Sequence, residues 1–266
     1  MAKLIELDKI RVGIVNYLNT RPLIKGLTQL ALEGEILLTE NYPAQIAEEL
    51  MLGKIDVGLV PVAIIPQLKQ GRIIGSHCIA SYGAVASVCL FSDQPIETLD
   101  AIYLDYQSRT SVLLLQILLR DYWKKEVHFI PSSSSSYMDN IGEGSGGLVI
   151  GDRALQAYDR FRFRYDLGEA WQQLTGLPFV FAVWVAVNPL SDNFVTKFIQ
   201  ANESGLRSKS TIATENAKLI NYDLHHYFTN NIDYRLTEEK KKALDYFLSL
   251  CSTLSPLSLI PESKNI

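Results

Sequence analysis

The sequence predicts an α/β protein of two lobes, and two observations carry that expectation. Apolar runs of strand length alternate with helical stretches from Ile10 to about residue 151, the order that builds mostly parallel sheets with helices on both faces. The last third then turns helical, at Phe194 to Gln200, Ala213 to Phe228 and Thr237 to Ser252. One block of alternating elements, a second block and returning helices fit two lobes joined by crossover strands. The crossovers are expected near Phe91 to Pro95 and near Ala182 to Pro189. Residues 1–92 and 188–266 would then form one lobe and 93–187 the other, and 266 residues suffice for two modest cores.

The elements follow in order. Ile10 to Val15 reads as a buried strand, ending in the polar stretch Asn16-Tyr17-Leu18-Asn19-Thr20-Arg21-Pro22. Asn19 or Thr20 can cap the next helix, whose first turn suits Pro22 and whose apolar face is Leu23, Leu27 and Leu30. Thr39 to Asn41 reads as a short strand, and Pro43 opens a helix that Gly53 ends. Further strands are expected at Asp56 to Val60, around Ile79, and at Ser87 to Phe91, Ile102 to Leu104, Val127 to Ile130, Leu148 to Gly151 and Pro178 to Val187. A strong helix spans Thr110 to Trp123. The serine run Ser132 to Ser136 reads as a solvated loop, and Glu238 to Lys242 as a solvated charged face.

Composition excludes several classes. Hydrophobic residues make up 47% and charged residues 20%, as in an ordinary globular chain. A net charge of −4 argues against a nucleic-acid binder, which needs a basic face, but not against a site for a small anion. Cys78, Cys89 and Cys251 lie far apart without metal-ligand spacing and read as reduced thiols. MAKLIELDKIRVGIV lacks a secretory signal, and the longest apolar stretch, Phe179 to Val187, is far short of the roughly 20 residues that span a bilayer. The expectation is a soluble, cytoplasmic protein with no membrane or nucleic-acid partner.

No standard catalytic signature is present. His77, His128, His225 and His226 sit beside no nucleophile and read as structural or surface residues. The best local signal is Gln107-Ser108-Arg109-Thr110-Ser111, which follows a strand and opens a helix. Its hydroxyls, the free first-turn amides and the charge of Arg109 suit a carboxylate or phosphate; a simple serine cap explains the same residues equally well. Gly151-Asp152-Arg153 also stands between a strand and a helix, where open α/β sheets place ligand groups, although Asp152 could be only a cap. Ser87, opening an apolar strand, carries the same ambiguity.

Six segments together resemble the chorismate dehydratase family of menaquinone biosynthesis by the futalosine route. They are Val15 to Leu23, Gly53-Lys54-Ile55-Asp56-Val57-Gly58-Leu59-Val60-Pro61, Ser87-Val88, Ser108-Arg109-Thr110-Ser111, Ile150-Gly151-Asp152, and Gly176-Leu177-Pro178-Phe179-Val180-Phe181-Ala182-Val183-Trp184. They occur in the family's order up to about residue 187, with a weaker match beyond. The resemblance implies a type II periplasmic-binding-protein fold with the substrate between the lobes. It implies the loss of water from chorismate to give 3-[(1-carboxyvinyl)oxy]benzoate, with no metal or other cofactor. Family site positions fall on Asn19, Ser87 and the turn Ser108 to Ser111.

The implied chemistry suits a site poor in bases. The C3 proton of chorismate is vinylogous to the ring carboxylate, so an extended enolate can form before hydroxide leaves C4, and aromatisation drives the reaction. Asp152 is the sole carboxylate among the candidate ligand positions. The substrate's own enolpyruvyl carboxylate is therefore expected to take the proton. Asn19 would bind near the departing hydroxyl, and Ser87 with Thr110 and Ser111 would fix the carboxylates. Three alternatives share the fold: an anion-capturing solute-binding protein, a ligand-sensing domain, and a dihydroxynaphthoate synthase of the same pathway, whose family resembles this chain less in the first loop and relies on a histidine.

Overall fold

The computed structural model describes residues 9–255. Their strands are β1 (Ile10–Val15), β2 (Ile36–Asn41), β3 (Val57–Pro61), β4 (Arg72–Ser81), β5 (Val88–Ser92), β6 (Ala101–Leu104), β7 (His128–Pro131), β8 (Ser145–Ile150), β9 (Phe163–Asp166), β10 (Phe179–Ala186) and β11 (Asp233–Arg235). The helices are α1 (Arg21–Leu32), α2 (Pro43–Met51), α3 (Thr110–Leu118), α4 (Asp152–Gln156), α5 (Leu167–Thr175), α6 (Asp192–Leu206), α7 (Lys209–Asn216), α8 (Leu224–His226) and α9 (Glu238–Cys251).

Two sheets form, as the two-lobed reading requires. The first runs β11-β4-β10-β3-β1-β2 and the second β7-β6-β8-β5-β9. Neither is mostly parallel, contrary to the expectation. β1 pairs in parallel with β2 and β3, and β6 with β7 and β8, but β10 runs antiparallel between β3 and β4, and β5 antiparallel between β8 and β9. Strand–helix alternation foretells parallel neighbours only within one block. A strand that returns from the other block enters against the grain. The crossings also come earlier than expected. β5 already belongs to the second sheet and β10 to the first, so the chain passes between sheets in residues 82–87 and again in 167–178. An apolar run announces a buried strand without saying which sheet buries it.

Short or interrupted elements escape the sequence reading. The apolar pattern of β4 is interrupted by Gly75, Ser76 and His77, β9 and β11 are four and three residues long, and α5 follows β9 directly. The stretch Ala213 to Phe228 is two helices rather than one: α7 ends at Asn216, and Asp223 caps α8 by accepting the His226 amide at 3.1 Å. The charged face of α9 is not wholly solvated. Lys240 is 4% exposed, with its ammonium 2.6 Å from Asp233 Oδ2 and 2.8 Å from the Arg235 carbonyl. Of the serine run, Ser133 to Ser136 are exposed, while the Ser132 hydroxyl donates to the Leu104 carbonyl.

One apolar core runs through both sheets, with a satellite cluster (Cys89, Phe91, Tyr137, Met138, Val149) on the far face of the second. Ser191 caps α6 by accepting the Phe194 amide at 3.2 Å, and α6 packs along α1. That packing depends on two glycines. A Cβ at Gly26 would stand 1.9 Å from the Ala201 carbonyl oxygen, and one at Gly205 2.0 Å from that of Pro22. Backbone touches backbone here, so neither clash can relax by a rotamer change. Gly205→Ala is expected to lower stability by about 2–3 kcal/mol, the cost of overpacking a rigid contact. Urea unfolding should show the midpoint falling at constant slope.

Candidate active site

A cleft opens where the loops after β1 and β6 meet the crossing segment 82–87 and the end of β8. About 570 Å³ of atom-free space lies within it, open solvent at its mouth included. Asn19, Ser87, Ser108, Arg109, Thr110, Ser111 and Gly151 all line it, beside an apolar floor that includes Leu59, Pro61 and Phe181. The sequence candidates thus converge on one cavity. Asp152 is the exception and does not line the cleft.

The loop after β1 is held from several sides. Thr20 donates its hydroxyl to the carbonyls of Val15 and Tyr17, the Leu18 amide donates to Asp152 Oδ1 at 2.8 Å, and the Tyr234 hydroxyl donates to the Asn19 carbonyl at 2.8 Å. Asn19 therefore presents its carboxamide from a fixed backbone. Its Oδ1 is buried and has no hydrogen-bond partner among the described residues. An unpaired buried acceptor is costly unless a ligand completes it.

Ser87 is set by an unusual turn. Ala86 takes φ +60°, and the amides of Val85 and Ala86 donate to the Asp166 carboxylate at 3.1 and 2.6 Å. The same carboxylate caps α5 by accepting the amides of Gly168 and Glu169 at 2.9 and 3.0 Å. Burial pushes the Asp166 carboxyl up, and the four amides pull against that shift. The Ser87 carbonyl accepts the Gly151 amide at 2.8 Å. Gly151 has φ +66°, and a Cβ there would stand 2.8 Å from the Tyr17 ring, so only glycine fits.

The turn before α3 divides its labour. The Ser108 hydroxyl is a cap, accepting the Ser111 amide at 3.2 Å, which bears out the modest reading of that residue while it still lines the cleft. The Thr110 hydroxyl is engaged with the first-sheet half: it accepts the Ala63 amide at 3.2 Å and donates to the Phe181 carbonyl at 3.4 Å. The Ser111 hydroxyl and the Arg109 guanidinium have no protein partner among the described residues, and both residues line the cleft at a helix N-terminus. That is an anion-binding arrangement.

Asp152 works instead across the cleft's edge. It comes from the start of α4, behind β8, and grips the Leu18 amide of the loop after β1. Burial raises its carboxyl above the ordinary range, opposed by the Leu18 hydrogen bond. A second bridge lies beside it, where the Tyr17 hydroxyl donates to Gln107 Oε1. Gln107 also accepts from Arg153 at 2.9 Å, and Arg153 donates to both oxygens of fully buried Asp105 at 2.8 Å. Asp105 and Asp166 had no marking in the sequence beyond their place at strand ends, while Tyr17 and Arg153 stood in segments singled out there without a role of their own. None of the four histidines lines the cleft; His77 is buried against Glu203 at 3.2 Å.

Among the described residues no helix is long and apolar enough to cross a membrane. The family model described as "Menaquinone biosynthesis" matches residues 10–253. A curated chorismate dehydratase from Thermus thermophilus is 30% identical over 89% of this chain and 93% of its own length. Among solved structures, a protein from Archaeoglobus fulgidus aligns over 92% of this chain and 97% of its own with a TM-score of 0.69 at 14% identity. A Candida albicans protein described as having the generic periplasmic binding protein fold aligns over 94% of this chain and 92% of its own, with a TM-score of 0.67 at 11% identity. The fold is therefore that of the periplasmic binding proteins, and the chain belongs to the menaquinone biosynthesis family.

Proposed function

We propose that the chain is a chorismate dehydratase, a hydro-lyase that eliminates water from chorismate to give 3-[(1-carboxyvinyl)oxy]benzoate. The observation that carries this reading is the convergence of the family-like segments on one cleft that offers an unpaired Asn19 carboxamide oxygen and a free Arg109 and Ser111. The three cysteines are free thiols, in keeping with work in the cytoplasm.

Arg109, Ser111 and the first amides of α3 bind one substrate carboxylate, and Ser87 donates to an oxygen on which charge gathers. The C3–H bond breaks first, its electron pair entering the ring as an extended enolate. The enolpyruvyl carboxylate takes the proton, because no carboxylate of the described residues lines the cleft. The C4–O bond then breaks, hydroxide leaves with that proton as water, and the ring becomes aromatic. Asn19 lies at the departing hydroxyl and holds it in the eliminating geometry. The protein's part is orientation and charge stabilisation, without a cofactor.

Purified protein incubated with chorismate should form the aromatic product, seen by its ultraviolet absorption; tight binding without turnover would mark a capture protein instead. Asn19→Ala should lower kcat about 100-fold with the melting temperature little changed. Arg109→Gln should raise KM about tenfold, the loss of one charge-assisted contact.

Asp152 serves as an anchor rather than a base, so Asp152→Asn, which keeps an acceptor for the Leu18 amide, should retain turnover, whereas Asp152→Ala should lose most of it. The sign of its pH effect follows from burial. A carboxyl raised above the ordinary 3.8 keeps its proton in the folded chain where the unfolded chain has lost it, so this group's share of stability declines as pH climbs through that window. Urea midpoints should therefore show Asp152→Asn gaining on the parent from acidic to neutral pH.

A further inference from the structure

Behind Ser87 stands a residue that no part of the cleft chemistry has yet used. Tyr227 is fully buried, does not line the cleft, and donates its hydroxyl to Ser87 Oγ at 2.8 Å. It opens a single wide helical turn, Tyr227–Asn231, directly after α8. Such π-type turns cost backbone geometry and are kept mostly at functional places. The end of this turn is stitched to the same crossing segment: Asn231 donates its amide to the Ala84 carbonyl at 2.9 Å and accepts the Tyr222 hydroxyl at 3.1 Å. The Tyr227 ring packs edge-on against Tyr222 and at a tilt against Phe228, with centroids 6.2 and 5.5 Å away, so its hydroxyl has little freedom to turn elsewhere.

The consequence for Ser87 is directional. A serine hydroxyl can donate once and accept twice. With an acceptor site taken by Tyr227, the Ser87 hydrogen is left to the Val85 carbonyl, 3.4 Å away, or to whatever oxygen enters the cleft. The first of these is a long contact that a charged oxygen easily outcompetes. Burial raises the Tyr227 hydroxyl far above the ordinary tyrosine range, against the bond to Ser87, which pulls it down. Tyr227 thus remains a protonated donor to Ser87 from outside the cleft.

We propose that Tyr227 is a positioning residue for the dehydration, its buried hydroxyl holding Ser87 as a hydrogen-bond donor aimed into the cleft. This rests on the chorismate reading above. Ser87 then meets the oxygen on which the enolate's charge collects, and the benefit grows from ground state to transition state. Losing the orientation therefore costs turnover more than binding.

The test is a double-variant cycle on the full chain, with chorismate as substrate. Tyr227→Phe should lower kcat by about 10-fold or more with KM within about 2-fold of the parent, at a nearly unchanged melting temperature. In a Ser87→Ala background the same change should cost no further kcat, because the group it orients has gone; a merely structural tyrosine would cost the same in both backgrounds. Tyr227→Met, which fills the space without a donor, replaces phenylalanine should that variant not fold. Full turnover in folded Tyr227→Phe, or losses that multiply in the double variant, overturn the proposal alone. A parent chain that binds but never converts chorismate overturns the functional reading and this proposal together, so the two failures look different.

Discussion

The carboxylate of Asp166 is the point on which the site's geometry turns. It sits where the chain first leaves the second sheet, and it accepts four amides, two from the turn that leads into that sheet and two from the helix that leads out of it. The two crossing segments are thereby fastened to each other through one side chain. Burial raises this carboxyl above its ordinary range, and the four amide hydrogen bonds pull against that rise. With the turn pinned, Ala86 is held at a positive φ that alanine does not choose, and Ser87 is delivered to the cleft wall. Gly151 then docks its amide on the Ser87 carbonyl, and Tyr17 closes over Gly151. Each of these contacts presupposes the one before it.

How much of this was legible in the sequence depended on how local the signal was. The strands β1, β5, β8 and β10 announce themselves as apolar runs, and Pro22, Pro43 and Gly151 mark real helix starts and turns. The loop after β1 and the turn before α3 were legible as site segments because polar side chains stand there at strand ends. What could not be read was whatever depends on residues far apart in the chain. The antiparallel insertion of β10 and β5 is one case, and the pairing of Asp152 with Leu18 is another, since a carboxylate at a helix start looks the same whether it caps, binds a ligand or holds a distant loop. Tyr227 is hidden for the same reason: it lies 140 residues from Ser87, within a helical stretch that gives no hint of its break.

The cleft's chemistry is defined by the groups already committed to the protein itself. Ser108, Thr110 and Asp152 spend their hydrogen bonds on caps and bridges, which leaves Arg109, Ser111, Ser87 and Asn19 for a ligand. That division leaves donors free to meet an anion, and among the described residues no carboxylate or histidine lines the cleft. Among the described residues that line the cleft, the buried acceptor left unpaired is Asn19 Oδ1, which a ligand hydroxyl can complete.

The placement of β10 also bears on the order in which the chain can assemble. The second sheet is contiguous in sequence, from Val88 to Asp166, and can pair as soon as those residues are available. The first sheet cannot. Its middle position is empty until Phe179–Ala186 arrives between β3 and β4, and its edge is bare until Asp233–Arg235 covers β4. During synthesis the N-terminal strands therefore wait, exposed, for a partner made much later, while the intervening lobe forms ahead of them. The lobe that begins first is the one that finishes last, and the cleft exists only once it has.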